Sequence, residues 1–141
     1  MLKILYFSFN KLYRIPGDIQ KPGESEGMDL HHNKLSEVPD GIGGSSQLRV
    51  LHLNNNYLNV YPDEILKLSN LIDLDISSND IRDYPLKLTE LDKLNLVFIQ
   101  ENPIAESDNP VELKEIITYF EKVRGKDKLL IFGVFERNIG Q

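Results

Sequence analysis

The stretch LRVLHLNNNYLNVYPDEILKL, residues 48–68, decides the fold of this chain. Leu51 and Leu53 alternate with other residues, which predicts a short strand with one buried face. Asn56 follows this strand where a turn is expected, and Pro62 ends regular pairing farther along. The same arrangement recurs along the sequence at a fixed spacing, which predicts a repeat protein.

The repeat is defined by five asparagines that stand 23 residues apart. They are Asn10, Asn33, Asn56, Asn79 and Asn102. Apolar residues occupy the positions three and five before each asparagine, and Leu or Ile lies two after it. In four units a bulky apolar residue and a proline follow, at Pro16, Pro39, Pro62 and Pro85. One such unit cannot bury its apolar side chains alone, so neighbouring units are expected to stack.

This pattern resembles the leucine-rich repeat family, whose units have the form LxxLxLxxNxLxxLPxxIxxLxx. It looks most like the intracellular 23-residue LPxxI subtype of Ras-associated scaffolds and many bacterial repeat proteins. The resemblance covers residues 2 to about 104 and implies an α/β solenoid, a right-handed horseshoe arc. Five repeats over 1–104 would form a parallel inner β-sheet and a mostly irregular convex side of extended or 3₁₀ segments.

The repeated asparagines are expected to have a structural role as a ladder. A side-chain amide both donates and accepts hydrogen bonds, so each asparagine can satisfy turn backbone of its own coil and of the next. Between the regular parts, residues 21–27 (KPGESEG) and 41–47 (GIGGSSQ) are rich in Gly and Ser and are predicted to be loops.

Residues 105–141 depart from the repeat and are predicted to form a C-terminal cap. Asn109 and Pro110 are typical of a helix start, and helical spacing of apolar residues predicts a helix over about 110–124. The apolar run at about 129–135 (LLIFGVF) predicts a strand. We expect it to cover the last coil, and the alternative is that it begins a further domain.

The first coil begins at Leu2, so we expect its edge to lack a cap of its own. Two interpretations follow. The chain is a piece of a longer one, or this edge meets a partner. The predicted assembly is therefore a monomer or an edge-mediated dimer.

Stacked strands would bring chosen side chains together on the concave face of the sheet. The predicted partner-binding residues are Tyr6, Asp29, His31, His52, Asp73, Asp75, Leu96 and Phe98. The aspartates and histidines form a polar centre, and the apolar residues flank it. Aromatic anchors with a polar surround on a rigid sheet suit protein recognition, so we predict a non-enzymatic protein-binding module.

Other functions are alternatives to protein binding. His31 and His52 with nearby carboxylates could form a metal-binding surface. However, each ligand atom must lie roughly 2 Å from the ion, and side chains in flat rows of strands rarely converge on one point in this way. We therefore assign no metal and no cofactor.

The sequence contains no GxSxG, HExxH or GxxxxGK[ST] motif, so no enzyme is predicted. The remaining alternative is a targeting or regulatory module of a larger signalling enzyme or effector, linked to a GTPase or kinase.

The composition of the chain limits the classes of partner that it is expected to bind. The chain has 141 residues, 40% hydrophobic and 27% charged, with a net charge of −6, which suits a soluble folded domain. A net negative charge argues against nucleic acid, and no apolar run approaches the roughly 18 residues of a membrane span. There is no cysteine, so disulfide-bonded caps are excluded and a cytoplasmic location is expected.

Overall fold

The computed structural model describes residues 3–16, 25–38, 40–60, 63–82, 86–103 and 130–132. Within these ranges one parallel sheet of six strands follows chain order. The strands are β1 (Ile4–Tyr6), β2 (Gly27–Asp29), β3 (Val50–His52), β4 (Asp73–Asp75), β5 (Leu96–Phe98) and β6 (Leu130–Phe132). The predicted repeat solenoid with a parallel inner sheet is confirmed.

The register of the sheet follows directly from the length of the repeat. From β1 to β5, each residue pairs with the one 23 positions later, so that Leu51 stands opposite Met28 on one side and Leu74 on the other. Beyond β5 the chain between strands is longer than one repeat, yet Val97 still pairs with Ile131 in parallel. The segment predicted as a strand thus continues the sheet beside the last coil.

The core is a stack of apolar layers that runs along the solenoid. In the third coil Leu51, Leu53 and Leu58 are each 0% exposed. The equivalent residues of neighbouring coils are buried as well: Met28, Leu30, Leu35, Leu74, Ile76, Ile81, Val97 and Ile99. Each fully buried Leu or Ile contributes about 1.5–3 kcal/mol relative to exposure, so stability is distributed over the coils.

Among the described residues, three short 3₁₀ helices lie on the convex side, at Asp40–Gly44, Asp63–Lys67 and Leu86–Glu90. Each inserts one apolar side chain into the core, namely Ile42, Ile65 and Leu88. The expectation of a loop over 41–47 is therefore wrong for its first half. Ile42 is only 3% exposed, and its carbonyl accepts a hydrogen bond of 2.9 Å from the backbone N–H of Ser45. Burial of this side chain outweighs the poor helix propensity of its glycine neighbours.

Some predictions lie outside the described residues. They are the first leucine position at Leu2, the prolines Pro39, Pro62 and Pro85, and the helix predicted over 110–124. In the part of the chain that is described, no helix has the length and apolar character of a membrane span.

Candidate functional site

The concave face carries two continuous rows of side chains, set by the register. The first row holds the residue between the two core-facing positions of each repeat: Tyr6, Asp29, His52, Asp75 and Phe98. The second row holds the residue that begins each strand: Ile4, Gly27, Val50, Asp73 and Leu96. All eight residues predicted for partner binding are described, seven of them in these rows. The eighth, His31, follows β2 directly after Leu30.

The polar centre consists of separate pairs. His31 Nε2 lies 3.3 Å from Asp29 Oδ2, and His52 Nε2 lies 3.6 Å from Asp73 Oδ2. His52 does stand between Asp29 and Asp75 in the sheet register, yet its ring is directed at the aspartate of the neighbouring row. The two histidines therefore each face their own carboxylate.

Asp75 is held in a different way. Its Oδ1 accepts hydrogen bonds from the backbone N–H of Ser77 at 2.9 Å and from the Ser77 hydroxyl at 2.6 Å. These two donors fix the orientation of the carboxylate without neutralising its charge. In the two rows from β1 to β5 there are three aspartates and neither Lys nor Arg, so the centre of the face is acidic.

One acceptor of this face lacks a donor. Asp73 Oδ1 is buried and has no hydrogen-bond partner among the described residues. A buried acceptor without a donor costs free energy, about 1–3 kcal/mol by mutational estimates.

Apolar residues lie on both sides of the acidic centre. Tyr6 on β1 is 69% exposed, which leaves most of its ring available for contact. Leu96 and Phe98 on β5 are half-buried. Because β6 pairs beside them, these two residues lie within the sheet and not at its edge.

The asparagine ladder connects consecutive coils below this face. Asn56 Nδ2 donates to Leu53 O of its own coil at 3.1 Å and to Leu30 O of the preceding coil at 3.0 Å. Its Oδ1 accepts from the backbone N–H of Leu35 at 3.0 Å. The same three contacts recur at Asn33, Asn79 and Asn102. Each of these asparagines therefore bridges to the preceding coil, whereas the sequence analysis predicted a bridge to the next coil.

Asn10 differs from the other members of the ladder. It donates only to its own coil, to Phe7 O at 3.0 Å and Ser8 O at 3.1 Å, and it is exposed. Its contribution to the stability of the stack is therefore smaller than that of the buried asparagines.

A left-handed backbone position precedes every asparagine, and sequence reasoning missed it. The residues are Phe9, His32, Asn55, Ser78 and Glu101, with φ between 51° and 58°. The backbone N–H of His32 donates to Asn54 O of the following coil at 3.1 Å, and Phe9 does the same to His31 O. These bonds between coils stabilise a conformation that is uncommon for residues other than Gly and Asn. The only sequence signal was the fixed place directly before each asparagine.

This turn brings three rings together at the rim of the concave face; we call Phe9, His31 and His32 the histidine rim. The rings of Phe9 and His32 are stacked with centroids 4.5 Å apart, and Phe9 meets His31 edge to face at 4.9 Å. The two histidines approach with 2.7 Å between their Nδ1 atoms. Phe9 is 72% exposed, so the cluster is open to solvent.

The structure does not bring together the residues of the metal hypothesis. Within the described ranges, no group of three or more His, Cys, Asp or Glu side chains is arranged to hold a metal ion. His31 and His52 are each directed at their own aspartate.

The chain is similar to known repeat proteins in sequence over one segment and in fold. Residues 47–68 match the family described as Leucine Rich Repeat. No curated protein sequence matches the chain. The matched segment is the third coil, which is among the most regular in the sequence.

Three solved structures with a similar fold come from bacteria. A leucine-rich repeat protein of Leptospira interrogans superposes with a TM-score of 0.68 at 24% identity, over 92% of this chain and 36% of that chain. An internalin of Listeria monocytogenes has a TM-score of 0.50 at 26% identity, over 55% of this chain and 22% of that chain. Internalin C2 of the same organism has a TM-score of 0.53 at 16% identity, over 92% and 71% of the two chains. The chain thus spans only part of the length of these proteins.

Proposed function

We propose that this leucine-rich repeat protein is a non-enzymatic module that binds a protein partner through the concave face of its sheet. Leucine-rich repeat domains commonly mediate protein–protein interaction, and their typical members are binding modules without catalytic activity. We assign this role to the concave face and to the residues of its two rows.

The observation that supports the concave face is the combination of an exposed aromatic ring with ordered carboxylates on one rigid sheet. Tyr6 is 69% exposed, while Asp75 is oriented by two donors from Ser77. Rings provide contact area at low entropic cost, and preoriented charged groups provide specificity. A sheet built from five coils in constant register holds these groups at fixed spacing.

The charges of the face indicate what the partner must supply. Asp29, Asp73 and Asp75 place three carboxylates in the two rows from β1 to β5, which contain neither Lys nor Arg. A partner that places N–H or cationic groups against the exposed parts of these carboxylates would gain complementary charge. Apolar groups of the partner would pack on Tyr6 and on Phe98.

The test is affinity capture from the native host lysate with matched variants. The triple variant His52→Ala, Asp75→Ala and Phe98→Ala should lose the captured partner while its circular dichroism and thermal melt stay close to wild type. A control with Lys11→Ala, Lys87→Ala and Glu90→Ala changes three exposed residues outside the two rows and should retain the partner. Equal capture by the concave triple variant and the wild type would reject this surface.

A related proposal follows from the small fraction of the similar proteins' length that this chain spans. The chain spans 36% of the Leptospira protein and 22% of the first internalin, so the same face could belong to the targeting or regulatory module of a larger protein. Sequencing the native transcript on both sides of residues 1–141 tests this directly. A signalling or scaffold role, a cytoplasmic location and a monomer or edge-mediated dimer remain predictions. Light scattering measures the oligomeric state.

A further inference from the structure

We infer that Phe9, at the histidine rim, is a binding anchor for a large apolar side chain of the partner. The inference rests on the proposed function and extends it, because Phe9 lies outside the two rows assigned to the concave face. The partner that fits is a peptide segment in which a large apolar residue lies within about three residues of Arg or Lys.

The first argument is the residue type at one repeated position. Five described residues precede the asparagines of the ladder in left-handed backbone, and four of them are polar: His32, Asn55, Ser78 and Glu101. Phe9 is the apolar member of this set, with φ 55°. Bulky residues rarely adopt this conformation, whereas Asn adopts it readily. The backbone therefore gives no reason for Phe at this position.

The second argument is the exposure of the side chain. Phe9 is 72% exposed, more than any other large hydrophobic residue in the part of the chain that the structure describes. Most of its ring thus contributes nothing to the apolar core, so burial does not explain the residue either. Strained backbone and exposed aromatic rings are both typical of binding sites, where function outweighs stability.

The third argument is that the ring is already held in place. It stacks on His32 with centroids 4.5 Å apart, and it meets His31 edge to face at 4.9 Å. The Nδ1 atoms of the two histidines are 2.7 Å apart, a hydrogen bond in which one nitrogen donates to the other. The backbone N–H of Phe9 also donates to His31 O at 3.1 Å. A side chain that is ordered before binding loses little conformational entropy when the partner arrives.

The surroundings of the ring indicate the chemistry of the partner segment. His31 contacts the ring of Phe9, and its Nε2 lies 3.3 Å from Asp29 Oδ2. The ring and this carboxylate are therefore within about 10 Å of each other, which three extended residues span. A segment that places an apolar side chain on Phe9 and a cationic one at the acidic centre complements both features.

The probe is a phage-displayed library of random dodecapeptides, selected on the full chain. Wild type should enrich peptides with a large apolar residue close to Arg or Lys. Selection on Phe9→Asn should lose the apolar enrichment and keep the basic one. A peptide enriched on wild type should bind Phe9→Asn at least about tenfold more weakly, as measured by fluorescence polarisation.

Tyr57→Asn is the matched control, because it replaces a ring that is 62% exposed and lies outside both rows and the rim. It should change the affinity for the same peptide by less than about twofold. Urea denaturation separates binding from folding. Phe9→Asn should keep or raise the midpoint of unfolding, since Asn tolerates the left-handed backbone.

Several results would overturn this inference. They are a wild type that enriches no such peptide, an unchanged affinity in Phe9→Asn, and an equal loss in Tyr57→Asn. A lower urea midpoint for Phe9→Asn would also overturn it, because the ring would then belong to the fold. If the triple variant of the concave face loses the native partner while Phe9→Asn keeps the peptide, the anchor alone is rejected. If that triple variant retains the native partner, the concave face is rejected as well.

Discussion

Leu35 and Asn56 are joined by a hydrogen bond of 3.0 Å, from the backbone N–H of the leucine to the side-chain Oδ1 of the asparagine. The two residues lie on consecutive coils, and both are buried. The Asn56 amide also donates to Leu30 O and Leu53 O, so one side chain satisfies backbone groups of two coils. Coil-to-coil contact in this solenoid is thus polar at the turn and apolar in the core.

Replacing Asn56 by Ala should lower the free energy of unfolding by about 1–3 kcal/mol, because buried backbone groups lose their partners. Urea denaturation followed by circular dichroism measures the change. Asn10→Ala is the matched control, since Asn10 is exposed and bonds only within its own coil. Equal losses for the two variants would contradict a role for the bridge between coils.

Replacing Leu74 by Ala should cost about 2–5 kcal/mol, because it leaves a cavity in the central layer of the stack. Leu74 is 0% exposed and lies between the layers of the third and fifth coils. Tyr57→Ala removes a larger side chain that is 62% exposed, and it should change stability by less than about 0.5 kcal/mol. The same denaturation experiment ranks the two variants. A larger loss of stability for Tyr57→Ala than for Leu74→Ala would contradict a core that is stacked along the coils.

Gly27 gives a test of packing on the concave face. A Cβ at this position would lie 2.9 Å from Cγ1 of Ile4, closer than side chains ordinarily approach. Gly27→Ala should therefore destabilise the fold by about 1–3 kcal/mol, and by less when Ile4→Ala is also present. A double-mutant cycle in urea measures this coupling.

The control for this cycle is Gly44→Ala. No atom lies within 4 Å of a Cβ built there, so the variant should be neutral or stabilising by up to about 1 kcal/mol. An additive cycle for Gly27→Ala and Ile4→Ala would show that the two residues do not touch in solution.

The fold was predictable because one period of 23 residues sets strand, turn and register together. Once Leu51 is assigned to the core, the period places Leu74 in the next layer and His52 on the opposite face. The rows of the candidate site follow from the same period. The roles of the four later asparagines follow from chemistry, since only a group that both donates and accepts can join two turns.

The 23-residue period does not determine side-chain rotamers or the local conformation of turns. His52 stands directly opposite Asp29 and Asp75, yet its ring pairs with Asp73 at the start of β4, because register does not set side-chain rotamers. The left-handed turn at Phe9 and His32 is stabilised by backbone bonds to the following coil, and composition gives no sign of it. At Ile42, burial of one side chain selects a 3₁₀ helix over the loop that its glycine neighbours suggest.

The most direct measurement is the dissociation constant of the captured partner, determined by calorimetry for wild type, Asp75→Asn and Glu90→Gln. The two substitutions remove the same charge, one from the centre of the concave face and one from the convex 3₁₀ helix at Leu86–Glu90. We predict that Asp75→Asn weakens binding at least about tenfold, while Glu90→Gln changes it by less than about twofold. Equal affinities for the two variants, with both folded, would contradict binding through the concave face.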